Sequence, residues 1–320
     1  MTKLIIQIPC YNEEESLPVT LAGLPQEVEG FDVVEWLIID DGCTDNTIEV
    51  AKAHGVNHIV SFIKHQGLAR AYMAGLESCL KIGADVIVNT DADNQYNAKD
   101  ISKLVQPILE GKADIVIGER PIDTIGHFST VKKVFQKMGS WAIRRVSKTD
   151  IPDASSGFRA ISREAAMKIN VFNDYTYTLE TIIQAGQKNM AIISVPIQVN
   201  DDLRPSRLVR SILSYVTRSF MTIVRIFVVY RPFRFFFTIG LVLFTAGVLI
   251  GMRFLYYYFI HQGSGHIQSL ILAAIFLGMG FQTILVAFLA DLLAANRRLI
   301  EDIQYRIRKI ETDPQHHHHL

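Results

Sequence analysis

The chain has 320 residues, and its 32 Lys and Arg balance its 32 Asp and Glu. A chain of this length can bury one large core and carry a smaller second part. The neutral total hides a division, because residues 1–202 carry 19 basic against 27 acidic residues and the remainder carries a net charge of +8. The basic part merges into long apolar runs, which indicates an anionic membrane surface and argues against nucleic acid as the partner.

The cysteines and the two ends of the sequence add little chemistry. Cys10, Cys43 and Cys79 lack the spacing of a metal site and are typical of reduced thiols in a cytosolic domain. The segment Met1 to Pro9 predicts a strand, with none of the regions of a signal peptide. The run His316 to His319 resembles a purification tag, and we exclude it from metal arguments.

Short apolar runs alternate with helical segments over the first 200 residues. The predicted strands are Leu4–Ile8, Glu35–Ile39, Asn57–Phe62, Asp85–Asn89, Ala113–Ile117, a short strand in SSGFRAIS, and Ala191–Val199. The predicted helices begin at Glu14 and at Ser162 and cover Thr44–His54, Gly67–Ile82, Ala98–Glu110, Ser129–Ser147 and Tyr177–Gln187. This alternation predicts an α/β fold with a mostly parallel sheet and right-handed crossovers.

The segment Pro205 to Val224 has a basic face and an apolar face, in a region without Asp or Glu. This pattern predicts amphipathic helices lying in the plane of a membrane surface. The alternative is a soluble helix packed on the core.

Two apolar runs, Phe235–Phe259 and Leu270–Leu289, each have about the 20 residues that a helix needs to cross a bilayer. A short polar connector joins them, so they predict a transmembrane hairpin; two buried helices of a soluble protein are the alternative. Arginines before the first run and after the second predict that both ends are cytoplasmic and the connector is outside. The expected boundaries are a catalytic domain at 1–203, interface helices at 204–232, the hairpin at 233–295, and a cytoplasmic helix with the tag remnant at 296–320.

The stretch Asp85–Tyr96, DVIVNTDADNQY, carries the strongest chemical signal. It predicts a buried strand followed by Asp91 and Asp93. Carboxylates that follow a strand of a parallel sheet lie at the crevice where such sheets bind ligands. Two of them so close together suit a hard divalent cation with oxygen ligands, such as Mg²⁺ or Mn²⁺. A solvated turn is the alternative for these residues taken alone.

Four short motifs lie at the ends of predicted strands, PCYNE, DDGCTD, DADNQ and GER, and a fifth, SGFR, lies in a turn before a short strand. In this order and spacing they resemble family 2 glycosyltransferases with the GT-A fold, a Rossmann-like, mostly parallel α/β domain. Within that family the likeness is to dolichol-phosphate mannose synthase and the bacterial polyisoprenyl-phosphate glycosyltransferases. It covers residues 3–205, and the paired apolar runs match the membrane-anchored members of that group.

The resemblance implies a nucleotide-sugar site and a metal site. The residues expected to bind the nucleotide sugar are Pro9, Tyr11, Asn12, Glu13, Asp40, Asp41, Gly67, Asp91, Ala92 and Asp93. For Asp40 and Asp41, the alternative is turn formation with Gly42. Asp91 and Asp93, with Gln95 as a further ligand, would hold Mg²⁺ or Mn²⁺ on the donor diphosphate. Tyr96 stands where the family often has His, which affects the outer edge of that site.

The resemblance also implies a polyprenyl phosphate as the acceptor. Arg120, Lys132, Lys133, Arg204 and Arg207 are the candidates to bind its phosphate, although a solvated helix face is equally consistent with the two lysines. The expected catalytic residues are Asp93, Arg120 and Asp153. Asp153 either orients or deprotonates the nucleophile or forms an Asx-turn. Arg159 either binds a carboxylate of the site or braces its loop.

The expected function is therefore a membrane-bound inverting transferase that moves a hexose from a UDP- or GDP-linked sugar to polyprenyl phosphate at the cytoplasmic face of the cell membrane. The alternatives are another family 2 transferase of polysaccharide or glycolipid synthesis, and a non-catalytic membrane scaffold with a degenerate transferase domain. A nucleotidyltransferase would need a basic, Gly-rich loop near the N-terminus, where this chain has PCYNEEE. A helix from Ala290 to Ile310 could join subunits, which leaves a homo-oligomer open.

Overall fold

A computed structural model of the chain describes residues 1–121, 144, 147, 149–171, 177–200, 221, 224–260 and 266–312. Contacts between Cα atoms divide the chain into two compact units, residues 1–216 with 302–320, and residues 217–301. The domain boundaries expected from the sequence stay predictions.

The first unit is built on a seven-stranded sheet. Its strands are β1 (Lys3–Cys10), β2 (Val33–Asp40), β3 (His58–Ser61), β4 (Val86–Asn89), β5 (Ile115–Glu119), β6 (Arg159–Ser162) and β7 (Ile192–Pro196). Their order in the sheet is β3-β2-β1-β4-β6-β5-β7. Every pairing is parallel except those of β6, which runs antiparallel to both β4 and β5. The predicted, mostly parallel α/β sheet is confirmed.

The described helices of this unit follow the strands in the expected alternation. They are α1 (Leu17–Gly23), α2 (Thr47–Ala53), α3 (Leu68–Ile82), α4 (Ile101–Leu109), α5 (Arg163–Lys168) and α6 (Thr178–Gln187). The N-cap of α2 is Asn46, two residues after the predicted N-cap Thr44, because Thr44 is bound to Asn12 and Asp45 accepts the amide of Thr47. The Ser162 side chain caps α5 by accepting the amide of Ala165.

The core lies on both faces of the central strands. Residues 4–10 of β1 and all of β4 are buried, as a strand covered on both faces requires. Helix α3 packs closely on β1 and β2 at Gly75, where an added Cβ would lie 2.5 Å from the Gln7 side chain and 2.8 Å from Ile39. The sheet is thus held rigidly, and its carboxyl ends carry the polar motifs.

The second unit contains two helices that pack antiparallel on each other. They are α7 (Pro232–Phe259) and α8 (Ile267–Glu311), and both are long and apolar enough to cross a membrane. A Cβ added at Gly240 would lie 2.8 Å from Ile284, and one at Gly280 would lie 2.5 Å from the backbone of Phe244. Small residues let the two backbones approach, as is common between membrane helices. The predicted two-helix hairpin is confirmed.

Helix α8 is longer than predicted. The apolar run and the C-terminal helix that the sequence suggested as separate elements form one helix of 45 residues. Its last turns belong to the first unit, where Arg308 donates to the carbonyl of Ile169 at 2.7 Å and pairs with Glu77 at 3.0 Å.

Several predictions lie outside the described residues. These are the basic helix at Ser129–Ser147 and the amphipathic segment at Pro205–Val224, except for isolated positions, and the centre of the hairpin connector.

Candidate active site

The PCYNE motif follows β1 and joins the loops around it. Asn12 adopts a φ of 55°, and its side chain accepts the amide of Thr44 at 2.8 Å and donates to the hydroxyl of Thr44 at 3.2 Å. The amide of Glu13 donates to Thr47 at 2.8 Å, and its carboxylate accepts the hydroxyl of Ser16 at 2.7 Å. Asn12 and Glu13, both predicted site residues, therefore bind the segment that follows β2 to the end of β1.

The two aspartates at the end of β2, Asp40 and Asp41, are buried and accept hydrogen bonds from nearby backbone amides. Asp40 accepts the amide of Cys43 at 2.7 Å. Asp41 accepts the amides of Gln66 and Gly67 at 2.7 and 2.9 Å and pairs with His65 at 2.9 Å. The carboxylate of Asp41 thus anchors the loop that leads into α3, whereas the bond of Asp40 to Cys43 lies within the turn around Gly42.

An aromatic pair lies beside this loop. The ring centroids of Tyr11 and His65 are 4.0 Å apart, and Tyr11 is 39% exposed. An exposed aromatic face next to a buried carboxylate is suited to stacking on a nucleobase. His65 was not among the predicted site residues. The only feature of the sequence that could have pointed to it is its position two residues before Gly67, the N-cap of α3, which has a φ of 97°.

Asp91 and Asp93 follow β4, at the carboxyl edge of the sheet. Burial raises the pKa of Asp91 to about 6, and the neighbouring charge of Asp93 adds to this, while Arg120 and Arg159 act in the opposite direction. The amide of Gln95 donates to Asp93 at 3.1 Å, which closes the DADNQ turn. The site therefore contains a carboxylate whose charge is disfavoured by its surroundings.

The carboxylates of Asp91 and Asp93 suit a cation that takes oxygen ligands, such as Mg²⁺ or Mn²⁺. Among the described residues, no group of three or more His, Cys, Asp and Glu could hold a metal ion by itself. Mg²⁺ and similar ions are commonly held by one or two carboxylates together with substrate phosphates and water. Asp91 and Asp93 match that arrangement, whereas a structural zinc site would need more protein ligands.

Arg120 and Asp153 bind each other. The Arg120 Nε lies 2.7 Å from Oδ2 of Asp153 and its Nη2 lies 3.0 Å from Oδ1, which makes a two-pronged ion pair. Ser155 donates to the same carboxylate at 2.9 Å and accepts from Arg120 at 2.8 Å. Burial alone would raise the pKa of Asp153, but the bonds from Arg120 and Ser155 outweigh it and the pKa is lowered.

Arg159, in the SGFR motif, is fully buried. It donates to the carbonyls of Thr178 and Ser156 and to the hydroxyl of Thr181, and it lies 5.2 Å from the ring centre of Tyr177. Of the two readings from the sequence, these contacts fit a brace for the loop. Its positive charge still counteracts the raised pKa of Asp91.

The remaining predicted residues divide into two groups. Pro9 lies in β1, and Ala92 is buried between the two aspartates with its carbonyl bonded to Thr20 at 2.9 Å. Lys132, Lys133, Arg204 and Arg207 lie outside the described residues. The assignment of individual residues to the nucleotide sugar, the metal and the acceptor stays a prediction.

The mostly parallel sheet with one antiparallel strand and an Asp-x-Asp turn at its carboxyl edge fits the GT-A fold expected from the sequence, and the family match shows the protein to be a glycosyltransferase. The chain belongs to glycosyl transferase family 2, whose sequence model matches residues 5–169.

Similar proteins support this class. The chain is 29% identical over 205 residues to the undecaprenyl-phosphate mannosyltransferase of Micrococcus luteus, an alignment covering 61% of this chain and 82% of that protein. It is 30% identical over 213 residues to the UDP-N-acetylglucosamine–dolichyl-phosphate N-acetylglucosaminyltransferase of Methanococcus voltae, covering 60% and 83%.

A solved structure shows the same fold. Glucosyl-3-phosphoglycerate synthase of Mycobacterium tuberculosis, crystallised with Mn²⁺, UDP and glucosyl-3-phosphoglycerate, matches with a TM-score of 0.54 and 19% identity. The match covers 71% of this chain and 79% of that one.

Proposed function

We propose that the protein transfers a hexose from a UDP- or GDP-linked sugar to polyprenyl phosphate, with inversion at the anomeric carbon, at the cytoplasmic face of a membrane. The observation that carries the proposal is the Asp91–Asp93 pair at the carboxyl edge of the sheet, in a chain that also has two helices able to cross a membrane. Relatives named for undecaprenyl-phosphate and dolichyl-phosphate acceptors support the lipid part.

In this proposal the donor lies across the carboxyl edge of the sheet. Tyr11 offers its exposed ring to the base, while Asp91 and Asp93 face the diphosphate and hold Mg²⁺ or Mn²⁺ there with Gln95. The cation would supply Lewis-acid stabilisation of the charge on the leaving nucleoside diphosphate. The protein's part is to keep both carboxylates fixed where that charge develops.

The acceptor needs little help from a base. A phosphate monoester has its second pKa near ~6, so its oxygen is already largely anionic at neutral pH. That oxygen forms the new bond to the anomeric carbon as the bond to the nucleoside diphosphate breaks. Asp153 is bound to Arg120 on two oxygens, which favours a positioning role for Asp153 over proton abstraction.

Basic residues must bring the two anionic substrates together. Arg120, held at the end of β5 by Asp153, is our first candidate for the acceptor phosphate. Arg204, Arg207, Lys132 and Lys133 are the other candidates, by their positions in the sequence. Two pairs of arginines at the ends of the hairpin, Arg231 and Arg234 around the start of α7 and Arg297 and Arg298 in α8, favour a cytoplasmic location for both ends.

The test is a transfer assay with the purified full-length protein in detergent. UDP-glucose, UDP-N-acetylglucosamine and GDP-mannose are each offered with Mn²⁺, with and without undecaprenyl phosphate, and the lipid product is quantified. We expect one donor to give a polyprenyl-monophosphate-linked sugar, and EDTA to abolish its formation. The Asp93→Asn protein serves as the inactive control. Transfer to a sugar or glycolipid acceptor, without transfer to undecaprenyl phosphate, would contradict the proposal.

A further inference from the structure

The SGFR loop lies directly against the carboxylate of Asp91. A Cβ added at Gly157 would lie 2.8 Å from Oδ2 and 2.9 Å from Oδ1 of Asp91, and 3.0 Å from the hydroxyl of Tyr177. Any larger side chain at this position would have to displace the carboxylate or the tyrosine. A side chain at this position would therefore act directly on the orientation of the Asp91 carboxylate.

Tyr96 holds the same loop beside the same carboxylate. Its side chain is 4% exposed, and its ring stacks on Phe158 with centroids 5.0 Å apart. Its hydroxyl accepts the amide of Gly157 at 3.0 Å, and Tyr96 acts to lower the pKa of Asp91. Tyr96 thus holds the backbone of the residue that lies against the Asp91 carboxylate.

The other side of the loop is fixed as well. The carbonyl of Gly157 accepts from the Asn89 side chain at 2.9 Å and from the Tyr177 hydroxyl at 3.4 Å. Asn89 ends β4, two residues before Asp91, and pairs with Arg159 of β6 in the sheet. Both polar groups of the Gly157 backbone are therefore bonded to residues that surround Asp91.

We propose that Tyr96 and Gly157 are positioning residues for Asp91, which fix its carboxylate in the orientation that receives a divalent cation and its diphosphate. This inference rests on the proposed function, because it takes Asp91 as a ligand of that cation. The physical reason is that the groups around a ligating side chain orient it in advance, and their loss typically weakens metal affinity by 10–100-fold.

The buried tyrosines offer a matched pair of variants. Tyr96→Phe removes the hydroxyl that accepts the amide of Gly157 beside Asp91. Tyr72→Phe removes a hydroxyl that is equally buried but has no hydrogen-bond partner among the described residues. Both changes leave the stacking rings, Tyr96 on Phe158 and Tyr72 on Tyr177, in place.

The experiment measures nucleotide binding to the full-length protein by isothermal titration calorimetry. UDP and GDP are titrated separately, in EDTA and at a series of Mn²⁺ concentrations. We expect Tyr96→Phe to raise the apparent Kd for Mn²⁺ by about 10–100-fold. Its metal-independent nucleotide binding in EDTA should remain at the wild-type level, which a merely destabilised protein would not show. Tyr72→Phe should match wild type in both conditions.

A pair of glycine variants tests the same inference by geometry. Gly157→Ala places a methyl group against Asp91, whereas Gly23→Ala places one in α1, where a Cβ would meet nothing within 4 Å. We expect only Gly157→Ala to weaken the Mn²⁺-dependent binding. Wild-type Mn²⁺ affinity in both Tyr96→Phe and Gly157→Ala would overturn the inference. A wild-type protein whose nucleotide binding does not respond to Mn²⁺ would instead overturn the metal-dependent function, and the inference with it.

Discussion

Asp91 and Asp153 lie in the same unit, both near the carboxyl edge of the sheet, and their environments have opposite effects. Burial and the charge of Asp93 raise the pKa of Asp91 to about 6. Asp153 is 1% exposed, yet the ion pair with Arg120 lowers its pKa. The charges next to each carboxylate therefore set the direction of its pKa shift. Asp153 has a cation of the protein as its ion-pair partner, which agrees with the proposal that Asp91, and not Asp153, receives a cation from outside.

The largest expected effect follows from replacing Asp91. Asp91→Asn removes one of the two carboxylates that would hold the cation on the leaving diphosphate, and Lewis-acid stabilisation contributes several kcal/mol. We expect the initial rate of transfer at saturating Mn²⁺ to fall by roughly 1000-fold or more, which corresponds to about 4 kcal/mol. Full activity of this variant in EDTA would contradict the assignment.

Asp153→Asn is the matched comparison for that variant, because it makes the same change at the second carboxylate. We expect a smaller loss of kcat, since the phosphate nucleophile needs no strong base. A loss as large as that of Asp91→Asn, at an unchanged KM for polyprenyl phosphate, would contradict a role of Asp153 limited to positioning Arg120.

The next largest effect concerns stability. Arg120→Ala leaves the Asp153 carboxylate buried without its partner, and breaking a buried pair on one side typically costs ~3–5 kcal/mol. We expect a marked fall in the apparent melting temperature. The double variant Arg120→Ala with Asp153→Ala should lose less than the sum of the single changes, because it removes both charges. If the losses of stability in the two single variants simply added up in the double variant, Arg120 and Asp153 would have no net interaction energy.

The opposite pKa shifts predict opposite pH dependence. The folded pKa of Asp91 lies above its unfolded value near ~4, so its contribution to stability is complete below that value and is lost as the pH rises through about 6. For Asp153, whose folded pKa is lowered, the contribution is present above the unfolded value and is lost as the pH falls through the folded one.

Melting temperatures in EDTA between about pH 4.5 and 7.5 test this difference. Because the folded pKa is about 6 and the unfolded one lies near ~4, wild type should lose roughly 2 kcal/mol of stability relative to Asp91→Asn across this pH range. Adding Mn²⁺ with nucleotide at the upper end should restore much of the loss. Parallel pH profiles for wild type and Asp91→Asn would contradict the raised pKa.

The strand ends and the Asp-x-Asp turn could be predicted because their signals are local. Asp91 and Asp93 directly follow a short apolar run, and the strand they follow exists as β4. The pairing of Arg120 with Asp153 could not be predicted, since it joins residues 33 positions apart. The pairing depends on β6 lying antiparallel between β4 and β5. The sequence of a four-residue strand does not indicate which strands it will pair with.

Two further differences have equally physical causes. His65 meets Tyr11 only because Asp41 holds the intervening loop, a contact that no periodicity encodes. Two helices were predicted where α8 is one, because the hydropathy of the sequence changes near residue 290. No Gly or Pro interrupts residues 289–311, so the backbone continues as one helix. A change from apolar to polar residues does not by itself end a helix.

The smallest expected effect comes from a charged cluster away from the carboxyl edge. Glu35, in the first half of β2, pairs with Lys3 of β1 at 3.1 Å and with His58 of β3 at 2.8 Å. Burial would raise the pKa of Glu35, but the bonds from His58 and Lys3 outweigh it and the pKa is lowered. The three side chains are 19–33% exposed, so solvent screens the pairs.

Glu35→Gln should therefore destabilise the protein by less than ~1 kcal/mol and leave kcat and KM for both substrates unchanged. This variant sharpens the comparison, because it removes a paired carboxylate from the same sheet at a distance from the proposed site. The measurement is a kinetic assay beside a melting curve at one pH. If Glu35→Gln raised KM for the nucleotide sugar several-fold at an unchanged melting temperature, a charge on the amino-terminal half of the sheet would influence donor binding. The carboxyl edge would then not be the only part of the sheet on which donor binding depends, and the contrast between Asp91 and Asp153 would no longer be enough to locate the chemistry.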